Sequence, residues 1–439
     1  MAIQRPKLKL HRGSTYVFDV SDGSLSTHPL RFTNDSGTSE YTNGVTVSGT
    51  QGSPNAKVSF AVPLNAPTHL MYYCGTHGIG MGNKVVTIDD PDNPALGQGD
   101  RAIHGGGGGG ANAPANEIYY YDMATASNGT DFGDLTGGRL DPRGASNGTR
   151  GVFIGGYHSS YANPYNGNFI DYITIATPGN AIDFGDYTSQ IGNQGVQAHA
   201  TVSNVTRAVT SGGRYNAYYD DLTTAGSNAD MYTKEMNYIT IATTGNSTYF
   251  GDLNITLGRA DGASRSNHCG WANSTRGLWF GGIYRNATFT GGNGYPTTID
   301  YITIDTTGSS LDFGELTSQA SSGSACGNNT RAIIHIGNDG SRTNTIEYTA
   351  IDTTGNSLDF GDLTVARDKS SASSSTTKAT FVGGMNTSYS SGYRVRNEID
   401  IVSIDTPGNA TDHGDIRDFI GSGSNLNTAY MAGLSGYAS

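Results

Sequence analysis

The 439-residue chain contains only three cysteines, Cys74, Cys269 and Cys326, too few to staple a body of this size with disulfides. Charged residues are equally sparse, at 15%, and they sum to -12 at neutral pH. A chain that acidic, with no clustered lysine and arginine, has no surface to neutralise a phosphate backbone, so nucleic acid is not an expected partner. No stretch approaches the roughly 20 apolar residues of a membrane span, and the opening MAIQRPKLKLHRGSTY lacks the apolar core of a secretory signal. The expectation is a protein without membrane insertion, made in the cytoplasm. Disorder is excluded from the other side, because aromatics make up 10% of the chain and apolar strands recur between turn signals.

What the chain does have is repetition. The run IDYITIDTTGSSLDFGELT (Ile299 to Thr317) has five relatives: Glu117 to Thr136, Ile170 to Thr188, Met236 to Asn254, Ile346 to Thr364 and Ile399 to Ile416. The acidic residue after each aromatic-glycine or His-Gly pair falls at 134, 186, 252, 315, 362 and 415, giving steps of 52, 66, 63, 47 and 53 residues. A strand-rich repeat near fifty residues implies a propeller rather than a solenoid. Within each copy, alternation such as Ile170, Tyr172 against Asp171, Thr174 predicts a half-buried strand with one slip in its period. Thr-Thr-Gly-Asn or Thr-Pro-Gly-Asn then supplies a tight turn, and a second strand returns to Phe-Gly-Asp.

Upstream of the copies lies a second phrase, SNGTRGVFIGG (Ser146 to Gly156), echoed from Ser203, Ala272, Gly327 and Ser374. It predicts a hairpin turn and a buried strand closed by glycines. Arg101, Arg150, Arg207, Arg276 and Arg331 recur at the start of that strand, and pairing with acids of a neighbouring strand is their expected role. The unit is therefore four strands, an inner one, one ending in Gly-Gly, one with Ile-Asp-Tyr and an outer one with Phe-Gly-Asp. This order resembles the Kelch family of β-propellers over residues 101–439, with Phe132, Phe184, Phe250, Phe313 and Phe360 where Kelch blades carry tryptophan. Counting the repeats gives six blades, or seven if the surplus phrase Ser424 to Gly433 supplies two strands. In the six-blade reading that phrase completes the first blade.

Several groups carry bland expectations. Cys269 and Cys326 read as buried free thiols on neighbouring inner strands. The acid pair of the Asp131 and Asp134 type reads as turn capping rather than a calcium site, because hard cations need more oxygens. His104, His158, His199, His268, His335 and His413 do not repeat as a set, and His11 and His69 read as solvated or hydrogen-bonded. The glycine run after Arg101 lacks the Lys-Ser/Thr ending of a phosphate loop. No Ser-His-Asp or paired-carboxylate arrangement stands out, so an enzyme is not the expectation. Two long connections, Asn216 to Glu235 and Tyr284 to Thr298, are where binding groups are expected on a rigid scaffold.

Residues 1–90 follow another pattern. Alternating strands around Tyr16 and Phe18, Leu30 and Phe32, Val45 and Val47, Val58 and Phe60, Leu70 and Tyr72, and Val85 predict a small β-sandwich. Residues 91–100, rich in Pro, Gly and acids, read as a linker. The phrase LMYYCGTHGIGMGNKVVTI (Leu70 to Ile88) resembles the ligand loop of plastocyanin-like cupredoxins. Carried over by position, the resemblance implies a type 1-like copper site with His28, Cys74 and His77 equatorial and Met81 axial. His77 and Met81 stand one residue closer than plastocyanins usually have, a departure that bears on the axial bond.

A cupredoxin-like domain beside Ile-Asp-Tyr-Ile-Thr-Ile repeats resembles virion-associated tail-fibre and appendage proteins of marine cyanophages. That resemblance implies a structural protein of the virion, released by lysis, in an oligomeric assembly with other virion proteins and in contact with a host-surface glycan or protein. The alternatives are a copper-binding redox protein or enzyme with a propeller domain, and a cellular Kelch-type scaffold.

Overall fold

A computed structural model describes residues 6–11, 14–34, 39–63, 66–67, 69–88, 98–108, 114–158, 167–189, 195–217, 229–253, 264–285, 294–386, 395–417 and 428–436. The chain divides into two compact units, Met1–Ala95 and Leu96–Ser439. Both are built from β-strands. Among the described residues the helical content is one 3-10 turn, Gly23–Ser26, and no helix is long and apolar enough to cross a membrane.

The first unit holds two sheets. One runs Leu8–His11, Gly78–Ile88, His69–Cys74, Leu30–Asn34, and the other Thr15–Asp19, Lys57–Ala61, Val45–Ser48. Alternation along the strands sends Phe32, Val58, Phe60, Leu70 and Val85 into one shared core, each almost wholly removed from water. The strand Leu8–His11 was not anticipated. It pairs parallel to the C-terminal end of Gly78–Ile88, with Leu8 opposite Val85, and Leu10 enters the core.

The second unit contains six four-stranded antiparallel sheets. The second begins with Arg143–Ser146 and continues with Arg150–Ile154, Phe169–Thr174 and Ile182–Asp186; the third to sixth repeat the order from Ala200, Cys269, Ser324 and Ser371. The first sheet is assembled from both ends of the unit, with Ala432–Gly436 pairing antiparallel to Arg101–Gly105. That strand begins within the end of the phrase Ser424 to Gly433, at Ala432, and supplies the first sheet with its inner strand. The first strands of successive sheets pack side by side, and the sixth packs on the first.

Hydrophobic clusters fill every boundary between neighbouring sheets. Val152, Ile170 and Phe184 of the second sheet meet Ala208, Ile239 and Ile241 of the third, and Val382 and Ile399 of the sixth meet Ala102, Tyr121 and Met123 of the first. The period slip in the Ile-Asp-Tyr strand is a real irregularity of register, found between Ile170 and Asp171, Met236 and Asn237, and Ile299 and Asp300.

The repeated polar residues stitch one sheet to the next. Asn180, Asn246, Asn356, Asn409 and Asn128 each accept, through Oδ1, the backbone N–H of the acidic residue in the preceding sheet, at 2.9–3.1 Å. The backbone amides of Asp134 and its equivalents are thus held by the next sheet, and turn capping by the acid pair is seen at Asp412, whose carboxylate accepts the Gly414 N–H at 3.1 Å. The recurring arginines also depart from expectation. Arg150 lies over the Tyr172 ring of its own sheet at 4.4 Å and donates to the Ile241 and Ala242 carbonyls of the next. Arg101, Arg207, Arg276 and Arg331 do the same over Tyr120, Tyr238, Tyr301 and Tyr348, so aromatic faces and carbonyls take the place of acids.

The buried acids find other arginines. Arg139 pairs with Asp171, Arg265 with Asp300 and Arg367 with Asp400, all but wholly buried, with the acid of each pair in an even-numbered sheet and the arginine ahead of that sheet's first strand. In the fifth sheet Glu347 bonds Thr317 and Ser357, and in the third Asn237 bonds the Tyr187 hydroxyl at 3.0 Å. Removing one partner of such a pair strands a buried charge, a cost of about 3–5 kcal/mol.

Candidate metal centre

In the first unit, the 3-10 turn Gly23–Ser26 is capped by Asp22, whose carboxylate accepts the Ser24 N–H at 2.9 Å. His28 follows, its N–H bonded to the Leu25 carbonyl at 3.2 Å. Pro29 then ends the turn and fixes the entry into Leu30–Asn34. The Gln51 side chain accepts the Leu30 N–H at 2.7 Å and donates to its carbonyl at 3.2 Å, which clamps this approach from the side.

Cys74 closes the strand His69–Cys74, opposite Leu30 and on the same alternation as Leu70, so its sulfur turns inward and the residue is 5% exposed. The Gly75 N–H bonds the Pro29 carbonyl at 2.8 Å, locking the cysteine loop to the histidine loop. The chain then reverses through Gly75, Thr76 and His77 to Gly78, whose φ of +76° suits glycine and lets the returning strand start at once.

These constraints bring three of the four expected ligands together. Cys74 Sγ lies 3.7 Å from His28 Nδ1 and 3.3 Å from His77 Nδ1, and it accepts the His77 backbone N–H at 3.3 Å. The two imidazole centroids are 4.5 Å apart, and the three donor atoms all fall within 4.8 Å of one another. It is the one such cluster of His, Cys, Asp and Glu donors among the described residues. Met81 sits half-buried on the returning strand Gly78–Ile88, in the segment between Gly78 and Asn83 where the register against His69–Cys74 shifts.

A cation about 2.3 Å from a thiolate and about 2.0 Å from an imidazole nitrogen, with an angle near 110–120°, sets sulfur and nitrogen about 3.5–3.7 Å apart. The two separations here bracket that span. The donor set of one sulfur and two imidazoles suits copper or zinc rather than a hard cation. The arrangement grades outward from buried Cys74 through half-buried His28 to exposed His77, so the cluster reaches the surface through one imidazole. With copper held there, the thiolate and imidazoles would supply a one-electron centre, and this chain's part is to fix all three donors before the ion arrives.

The second unit offers no comparable cluster among its described residues. Cys269 and Cys326 are free, Cys326 buried as expected but Cys269 only half-buried, and desolvation pushes the Cys269 thiol up to about 12 and Cys326 up as well, which makes both poor nucleophiles. His69 is exposed. His199 and His268, read as unrelated, occupy equivalent places directly ahead of the first strands of the third and fourth sheets. Six differing residues around those strand entries, described below, were not picked out from sequence because they share position without sharing a residue type. No protein-family model matches the chain, and no curated protein matches it.

Proposed function

We propose that the six sheets of the second unit are the blades of a closed Kelch-like propeller, and that the protein is a bacteriophage virion structural protein working in particle assembly, host-surface attachment or both. The observation that carries this reading is the difference between the two ends of the sheets. At one end, among the described residues, the strands of each sheet are joined by tight turns, the asparagine hairpins such as Asn147 to Arg150 and the Thr-Gly-Asn turns, with the same hydrogen bonds in one sheet after another. At the other end lie the longer connections, including the paired strands Arg214–Ala217 and Ala229–Tyr232 that begin and end one insertion, whose centre at 218–228 is outside the described residues. A repeated frame with variation at one end is the layout of a binding scaffold. Comparing purified virions with host extract by quantitative proteomics tests it. Enrichment in particles supports the proposal, and recovery in the host fraction alone favours a cellular scaffold.

A second reading, a copper-binding redox function for the first unit, is favoured by the sulfur–nitrogen separations at Cys74. It is compatible with a virion protein and is tested by the spectroscopy set out in the Discussion.

A further inference from the structure

Six non-glycine residues of the second unit hold left-handed backbone: Asp141, Ala198, Asn267, Ser322, Lys369 and Tyr430, with φ between 54° and 61°. Each stands two or three residues ahead of the first strand or strand entry of one sheet, so there is one per sheet. Their amides form a chain from sheet to sheet. Asn267 donates to the Ala198 carbonyl at 2.8 Å, Ser322 to Asn267 at 2.8 Å, Lys369 to Ser322 at 2.7 Å, Tyr430 to Lys369 at 3.1 Å and Asp141 to Tyr430 at 2.9 Å. The remaining link, from the Ala198 amide, goes to the Asp141 side chain. Six residues that avoid glycine in a conformation favouring it are held there by the surrounding structure, and such outliers concentrate at functional sites.

Their side chains are as varied as their backbone is uniform. Asp141, Arg143, Asn267, Ser322, Lys369 and Tyr430 line a recess of about 20 Å³, and Arg143 also lines a larger cavity of about 110 Å³ among the first strands. Gln98 also lines that cavity, and its amide donates to Gly327 and Ser374. Charge at the recess runs against the chain as a whole. Arg143 bonds Asp141 at 2.5 Å, Arg214 also faces Asp141, Lys369 lies over Tyr430 at 4.5 Å, and Arg342 bonds Asp368 at 2.8 Å. Of the residues that line the recess, two are cationic, Arg143 and Lys369, and one is a carboxylate, Asp141, in a protein of net charge -12.

We propose that this recess binds the carboxylate of an acidic sugar unit. Arg143 and Lys369 supply the cationic donors, and Asn267, Ser322 and the Tyr430 hydroxyl face the sugar's own hydroxyls. A recess this small takes the carboxylate and leaves the ring at the surface, on the same end of the sheets as the two long insertions. The inference names a ligand class for the attachment reading and rests on that reading for its biological purpose.

The test is calorimetric titration of the full chain with glucuronate, glucose and an N-acetylated aspartyl peptide. Glucuronate is expected to bind in the millimolar range and about tenfold more tightly than either of the others. Lys369→Ala and Asn267→Gly should each weaken it about tenfold, and a cooperative thermal transition for each variant shows that the chain is folded, glycine being free to keep the left-handed backbone at 267. No heat with glucuronate, or equal binding of glucose, overturns the proposal, and equal binding of the peptide replaces the sugar with a bare carboxylate and overturns it too. Either failure leaves the virion reading standing, because particle composition tests that separately.

Discussion

Arg276 lies over the ring of Tyr301, its guanidinium carbon 4.6 Å from the centroid, and reaches past it to donate to the Ile351 carbonyl of the next sheet at 2.9 Å. One side chain thus joins two strands of its own sheet and fastens that sheet to its neighbour. The sixth sheet departs from this arrangement in concert, with Lys378 for the arginine, Ile401 for the tyrosine and His413 for the phenylalanine that packs edge-on in the others.

Arg276→Ala should therefore destabilise the second unit by about 2–4 kcal/mol, from a cation–π contact worth about 0.5–1 and a charge-assisted hydrogen bond worth about 1.5–3. Lys378→Arg in the sixth sheet should recover little, since Ile401 offers no ring. Urea unfolding of both variants checks the pair. Equal and negligible shifts would show the arginines to be surface ornaments.

Glycine position matters more than glycine count. Gly361 has φ +144°, and a Cβ there would lie 2.5 Å from the Gly408 carbonyl oxygen in the turn of the next sheet; a Cβ on Gly408 would meet nothing within 4 Å. Gly361→Ala should cost at least about 2 kcal/mol by pushing backbone against backbone, while Gly408→Ala should be nearly neutral. The comparison is a guanidinium midpoint for each, and a tolerated Gly361→Ala would contradict the close approach of the two sheets.

Most of this frame was legible in the sequence because it is local and repeated. Ile-Asp-Tyr, Thr-Gly-Asn and Phe-Gly-Asp keep their residue types in most of the sheets because in most of them each meets the same neighbour. What was hidden depends on contacts across long sequence distances. Arg139 and Asp171, or Arg367 and Asp400, carry no spacing that marks them as partners, and the six left-handed residues share a place without sharing a side chain. In the first unit, Cys74 and His77 were readable as a pair three apart. His28 was named only through resemblance, and Leu8–His11 was passed over because four residues ahead of a turn show too little alternation to stand out as a strand.

Four imidazoles are buried without charge. Burial holds His104 and His335 down at about 3, and holds His199 and His268 well below the ordinary range, with Arg143 and Arg265 adding to the effect. In the unfolded chain the same groups take up protons near about pH 6.5. The unfolded state therefore binds more protons below that pH, and the stability these residues give is complete above it and lost as pH falls toward 3. Each can remove up to about 1.4 kcal/mol per pH unit. Thermal melting should fall steadily from about pH 6.5 to 4.5. His335→Gln, which keeps a group able to reach Ser370 and Thr343, should flatten that slope, and an unchanged slope would place the acid sensitivity elsewhere.

The metal centre makes the sharpest prediction. Sulfur and nitrogen at 3.3 and 3.7 Å around Cys74 place three donors where one ion can meet them without the chain rearranging. Adding Cu(II) to the full protein should give intense visible absorption, because charge transfer from a thiolate gains strength when the sulfur is held in one plane with two imidazoles. Cys74→Ser should abolish that band outright, while the fold persists, since the residue ends a strand whose core contacts come from Leu70 and Tyr72. His77→Ala should leave the thiolate and His28 and weaken binding by more than the about 10–100-fold that loss of an outer-shell partner costs, because it removes a direct ligand. Met81→Leu separates the two halves of the expected set. If the thioether is axial, the band survives and the reduction potential moves; if it is only a half-buried strand residue, neither changes. A protein that stays colourless through copper loading, with Cys74 still alkylatable afterwards, would leave the three donors as a packing arrangement and end the redox reading.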